Sequence, residues 1–265
     1  MPKFVVEGGH RLKGTVRPAG NKNAALPMIA ATLLTEEEVV LENVPDIRDV
    51  RTLLELLQTL GAEVEWTGDH TVRVQARNVG QAQLETSQAS RIRASILLAG
   101  PMVARTGEMH LPPPGGDVIG RRRMDTHFLA LAGLGAETGF ERKVYGLRSR
   151  GRLKGADIFL DEPSVTATEN AVMAAALAEG TTRLRNAAAE PHVQDLCHMI
   201  NDVMQYLLAA IYPIIKTSYA LDYVQIGLLT FTFQVTASLL QPVVAARLPV
   251  AQVQHHPLPW PAHRP

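Results

Sequence analysis

The chain has 265 residues, 26 Lys and Arg balanced by 26 Asp and Glu, 46% apolar residues and a single cysteine. That length accommodates one large or two ordinary domains with a real core, and a net charge of zero removes the electrostatic case for a nucleic-acid partner. Cys197 has no partner for an internal disulfide, and the opening MPKFVVEGGH lacks the apolar run of a secretory signal, so the expected setting is the cytoplasm.

In chain order, FVVEG and TVRPA are predicted as short strands, AALPMIAATLL as a buried helix and EVVLENV as a further strand. The run DIRDVRTLLELLQTLGAEVEW puts Val50, Leu53, Leu54, Leu57 and Leu60 on one helical stripe. Gly61 then ends the helix and a strand follows. Further on, ILLAGPMVA, RRMDTHFLALAGLGA and TATENAVMAAALAEG have helical character, while ADIFL and TTRLRN read as strands. RLKG occurs at residues 11–14 and 152–155, and LGAE at 60–63 and 134–137. These spacings fit three units of about 70 residues, each expected to run strand, helix, strand, helix, strand. The predicted fold class is therefore mixed α/β, with Ala- and Leu-rich helices buried on most faces.

The composition breaks near Cys197, because only Asp202, Lys216, Asp222, Arg247 and Arg264 of the 52 charged residues follow it. Residues 203–215 and 223–246 carry no charge, and the second run has the length of a membrane span. Two segments of different character are expected.

Three loops set cationic or amide groups beside a predicted helix start, where free N–H groups and the helix dipole favour an anion. They are Gly20-Asn21-Lys22-Asn23, Ser90-Arg91-Ile92-Arg93 and the stretch PPPGGDVIGRRR before Met124. A phosphate-bearing ligand fits them. Taken singly, the same residues also read as solvated charges, with Asn23 or Asp125 as helix caps and Gly115 and Gly116 as a simple turn. No Walker or Rossmann fingerprint is present.

The runs RLKGTVRPAGNKNAALPMIAATLL, NVPDIRDV, LLQTLGAEV, RIRASILLAGPMVAR, PGGDVIGRRRMDTH, GRLKGADIFLDEPSVTATENAVMAAALAEGTT and NAAAEPHVQDL extend in order across essentially residues 1–197. Over them the chain resembles the UDP-N-acetylglucosamine 1-carboxyvinyltransferase family of enolpyruvyl transferases. The resemblance implies an inside-out α/β barrel, here partial, of three repeated units. Residues 1–21 would belong to strands of the family's second domain, and residues 22–197 to an incomplete first domain. It further implies phosphoenolpyruvate and UDP-N-acetylglucosamine as substrates, a role in cell-wall precursor synthesis, and neither metal nor cofactor.

By this resemblance Lys22 and Asn23 match residues at phosphoenolpyruvate, and Arg93 matches an arginine near the sugar nucleotide and phosphate. Arg122 matches a loop arginine shared by both substrates, followed along the uridine side by Arg123, Met124, Asp125 and Thr126. Ser164 and Val165 match a further stretch on the nucleotide, and Arg91 falls off the pattern. Asp117 stands where the family's mobile loop commonly carries a cysteine, and it is a candidate general acid. A carboxylate opens an epoxide far less readily than a thiolate, so labelling by fosfomycin is not expected.

After Cys197 the stretch HMINDVMQYLLAAIYPIIKTSYALDYVQIGLLTFTFQVTASLLQPVV resembles the first two membrane helices of a major-facilitator exporter of the fosmidomycin-resistance type. It implies an apolar helical hairpin over residues 198–246 and a membrane association through residues 199–246. A Pro- and His-rich tail, predicted to be disordered, occupies residues 247–265, and its His255, His256 and His263 are not read as a metal site. Three readings follow: an inactive truncated fusion, a membrane-tethered binding module, or a transporter fragment. The last is weakest, since a lone hairpin cannot form an alternating-access path.

Overall fold

A computed structural model describes residues 5, 7–9, 13–16, 18–80, 82–116 and 123–203, together with eight positions between 219 and 232. The chain divides into two units, Met1–Met204 and Gln205–Pro265.

The first unit begins its regular structure with α1 (Lys22–Ala31), which tightens into a 3-10 turn at Thr32–Leu34. Arg105 closes that turn by donating to the carbonyls of Leu33 and Thr35 at 2.8 and 3.0 Å, a cation placed where a helix leaves its acceptors free. β1 (Glu38–Leu41), α2 (Arg48–Thr59), β2 (Glu63–Gly68) and β3 (Thr71–Gln75) follow. All five residues of the α2 stripe are buried.

After a short α3 (Thr86–Ala89) and a 3-10 helix at Arg93–Leu98 come α4 (Ala99–Thr106), β4 (Glu108–Leu111) and α5 (Asp125–Gly133). The hairpin β5 (Glu137–Glu141) and β6 (Val144–Arg148) closes this second group. A third group holds β7 (Asp157–Phe159), α6 (Val165–Ala176) and β8 (Arg183–Arg185). Residues 191–203 are then helical, and Leu196 and Ile200 bury into the core.

The first two groups are built alike. Their antiparallel sheets have orders β1-β3-β2 and β4-β6-β5, each with its last strand in the middle. Registers match too, since Gln75 faces Glu38 and Glu63 as Arg148 faces Glu108 and Glu137. The repeated LGA is the helix stop in both: Gly61 and Gly135 take φ +105° and +96°, and Ala62 and Ala136 donate back to Leu57 and Leu131 at 3.0 Å. Only the third group pairs its strands in parallel, β7 with β8, joined through α6.

Helices make the interior. α4 and α5 both pack on α6 through small buried residues such as Ala99, Ala130, Ala171 and Ala174, while β5 is exposed at every position. The mixed α/β expectation therefore holds, with two corrections. Each of the first two groups runs helix, strand, helix, strand, strand. The described parts of FVVEG and TVRPA form no strand, and Val5 and Val16 are exposed; a strand needs a ladder partner, and no described sheet offers one.

In the second unit, described positions 224, 225, 227, 228, 231 and 232 are helical, with Val224, Leu228 and Phe231 exposed. Among the described residues no helix is long and apolar enough to cross a membrane. Most of the two uncharged runs, and all of the histidine-bearing tail, lie outside the described residues.

Candidate functional site

Lys22 opens α1 because Asn21 caps it: the Asn21 side chain accepts from the Asn23 N–H at 2.9 Å. Capping by Asn23 is thereby corrected to its neighbour two residues earlier, and the Asn23 side chain stays available. Lys22 donates to Asp49 Oδ2 at 2.5 Å, across from α1 to the first turn of α2. Beside them the 3-10 helix starts with Arg93, whose Nη2 donates to the Arg123 carbonyl at 3.0 Å.

These groups border a cleft of about 480 Å3. Lys22 and Asn23 enter it from α1, Arg93 from the 3-10 helix and Val165 from the start of α6. Thus four of the expected site residues converge. The fit follows from the fold, since two helix starts and one 3-10 start point their first residues into the same space.

The others are arranged behind it. Arg123 pairs with Asp125 and with Asp161, and both contacts hold it more firmly protonated while they depress the two carboxyls. For Asp161 the larger cause is the Thr126 hydroxyl, which donates to its Oδ1 at 2.8 Å. Asp125 is a first-turn acid of α5 rather than its cap, and Met124 is half-buried at the cap position without a side-chain bond. Thr126 is fully buried, so its hydroxyl is spent inside the protein. Ser164 caps α6 by accepting from the Ala167 N–H. Arg91 instead faces Glu55, at 3.6 Å. Asp117 and Arg122 lie outside the described residues. The chain leading to them is pinned nearby, because a Cβ on Gly115 would fall 1.6 Å from the Ser90 carbonyl oxygen.

The cleft floor and the layer beneath it hold groups that the sequence does not announce. Asn170 on α6 accepts from the Gly100 N–H at 2.7 Å and donates to the Ile96 carbonyl at 2.9 Å, which fixes which end of its amide is nitrogen. Its remaining hydrogen meets His127 Nδ1 at 3.0 Å. The histidine therefore carries its proton on Nε2 and donates to Thr166 Oγ1 at 3.2 Å. Thr166 lines the cleft, and its own hydrogen is free to face a ligand. Burial pushes His127 down to about 3, helped by the charge of Arg93, so the ring is neutral.

Glu169, on the same helix, is almost completely buried, and burial with the charge of Glu190 raises it to about 8. Its one signal in the sequence is isolation: it is the sole charged residue of VTATENAVMAAA. Asp49, Glu190 and His192 also line the cleft, and none has the spacing of a known motif.

The model of the family EPSP synthase (3-phosphoshikimate 1-carboxyvinyltransferase) matches residues 6–205. The chain belongs to the EPSP synthase family. Within this family of enolpyruvyl transferases, the chain is 59% identical over 199 residues to a UDP-N-acetylglucosamine 1-carboxyvinyltransferase of Bradyrhizobium diazoefficiens, covering 75% of this chain and 46% of that one. A protein of the same name from Treponema denticola is 52% identical over 201 residues, covering 76% and 47%. Among solved family structures, the enolpyruvyl transferase NikO from Streptomyces tendae superposes with a TM-score of 0.63 at 27% identity, over 74% of this chain and 46% of that one. EPSP synthase from Acinetobacter baumannii gives 0.54 at 18% identity over 68% and 42%, a likeness of fold alone. The chain spans about half the length of the curated relatives it matches.

Proposed function

We propose that residues 22–203 supply one wall of a UDP-N-acetylglucosamine 1-carboxyvinyltransferase site, in a partial inside-out barrel. The reaction adds the sugar 3-hydroxyl to C2 of phosphoenolpyruvate while C3 is protonated, and phosphate then leaves, as in cytoplasmic synthesis of a peptidoglycan precursor. Support comes above all from the convergence of Lys22, Asn23 and Arg93 on one cleft.

In this reading Lys22 leaves Asp49 for the phosphate, and Arg93 meets the same charge from the facing side. Such fixed cations favour the step in which phosphate departs with added charge. Thr166, oriented by His127, and Val165 contact the sugar nucleotide beside Ser164. Arg123, Met124, Asp125 and Thr126 shape the uridine side through the Asp161 network, with Arg122 reaching both substrates and Asp117 acting as the general acid.

The resemblance places a carboxylate base and further arginines in the relatives' other half, and nothing after Cys197 matches them. These 265 residues are therefore expected to bind UDP-N-acetylglucosamine without turning it over. Calorimetry and a phosphate-release assay on the purified chain test both parts. Phosphoenolpyruvate binding that is lost in Lys22→Ala, and UDP-N-acetylglucosamine binding that is weakened in Arg93→Ala, with no phosphate released, is the expected result. A folded chain that binds neither substrate overturns the reading, and turnover by the chain alone overturns its inactive part.

A further inference from the structure

The chemistry of Glu169 is unusual for a cleft that receives an anion. Its side chain is 2% exposed, and Oε1 is buried without a hydrogen-bond partner. The nearest cation-capable group, His192 Nε2, stands 3.8 Å away, too far for a hydrogen bond. Lys22 is engaged by Asp49 and Arg93 reaches the Arg123 carbonyl. An ionised carboxylate buried in this way would bear the whole cost of desolvation, and it would repel a phosphate drawn in by Lys22 and Arg93.

A carboxylic acid resolves both conflicts. It has no charge to desolvate, and it offers one O–H donor toward the cleft that Glu169 lines. We propose that Glu169 is a specificity-determining residue of the cleft, held as a neutral acid that donates its hydrogen to the phosphate-bearing substrate. This rests on the substrate reading given above.

The raised titration of Glu169, to about 8, agrees with this geometry and fixes where the effect is visible. Among the described residues, five other titratable or charged groups line the cleft with it: Lys22 from α1, Asp49 from α2, Arg93 from the 3-10 helix, and Glu190 and His192 from the segment after β8. α6 itself carries no other charge. A ligand that selects the acid must take up a proton wherever Glu169 is ionised, and its affinity must fall as pH rises through that range.

The test is calorimetry of phosphoenolpyruvate binding to the full 265-residue chain, at about pH 7 and about pH 9, in buffers of different ionisation enthalpy. The wild-type chain is expected to lose about tenfold in affinity between the two and to take up close to one proton per ligand at the higher pH. Glu169→Gln, a permanently neutral donor, is expected to match wild type at the lower pH and to show neither effect. Any contribution of these five groups survives in that variant, so the difference isolates Glu169. Binding without proton uptake in the wild type overturns the proposal and leaves the substrate reading standing. So does a variant that is already about tenfold weaker at the lower pH. Absence of phosphoenolpyruvate binding at both pH values overturns the proposal, and if UDP-N-acetylglucosamine also fails to bind, the substrate reading falls with it. Proton uptake is read on the wild type alone, so the outcome does not depend on the variant folding.

Discussion

The rim and the floor of the cleft solve the problem of holding polar groups in opposite ways. At the rim Lys22 with Asp49, and behind it Arg123 with Asp125 and Asp161, are charged pairs in contact with water, with Lys22 and Asp49 side chains 47% and 37% exposed. Exposed pairs of this kind add little stability, because solvent screens them and holding long side chains costs entropy. They are consequently easy to exchange for a ligand's charge. On the floor and beneath it, Asn170, His127 and Thr166 carry no formal charge and are tied by hydrogen bonds, while burial favours the neutral form of Glu169. The cleft thus gains mobility from charges that water already stabilises, and direction from groups held largely away from water.

The sharpest way to break this contrast is Asn170→Ala. It leaves the Gly100 N–H, the Ile96 carbonyl and His127 Nδ1 unpaired in the interior. A loss of about 3–5 kcal/mol is expected in urea unfolding of the chain. A loss under about 1 kcal/mol would show that the floor is not rigid.

Next in size is the dependence of stability on pH. Glu169 titrates at about 8 in the fold against an ordinary 4.5, so its contribution is full below 4.5 and is lost as pH rises toward 8. His127 works in the other direction: its depressed titration makes the fold lose stability as pH falls from 6.5 toward 3. Between 4.5 and 6.5 the two slopes oppose each other, which places the optimum there. Glu169→Gln should remove the decline that is left unopposed between about pH 6.5 and 8, about 2 kcal/mol, in thermal melts across that range. An unchanged alkaline limb would contradict the neutral floor.

Thr166→Val should then weaken UDP-N-acetylglucosamine binding by about 1 kcal/mol, roughly fivefold, with the melting temperature changed much less than by Asn170→Ala. Smallest of all is Arg123→Ala behind the rim. Its melting curve should nearly overlay that of wild type, and a large downward shift would mean that this network carries the fold after all.

Much of the scaffold is legible in the sequence because it rests on local signals. The α2 stripe is a 3.6-residue period in residues that all prove buried, and each LGA marks a helix that must end where glycine turns left-handed. Strand propensity in FVVEG and TVRPA is equally visible, yet a strand exists only through a partner that propensity does not name. In the site, Lys22 and Arg93 stand out as cations beside helix starts. Glu169 does not, because an acid within a helix ordinarily marks a solvent face, and only the packing of α1 and the 3-10 helix against α6 reveals that it has none. Asn21 and Asn23 differ by two positions, and propensity alone does not decide between two asparagines as the cap.

One consequence of the Asn170 bridge reaches beyond binding. The Gly100 amide, near the start of α4, is tied to a side chain 70 positions away on α6. Fraying of α4 alone cannot free it. Its deuterium exchange should follow separation of the two helices, making this single amide a gauge of whether the first unit opens piecemeal or comes apart as one cooperative body.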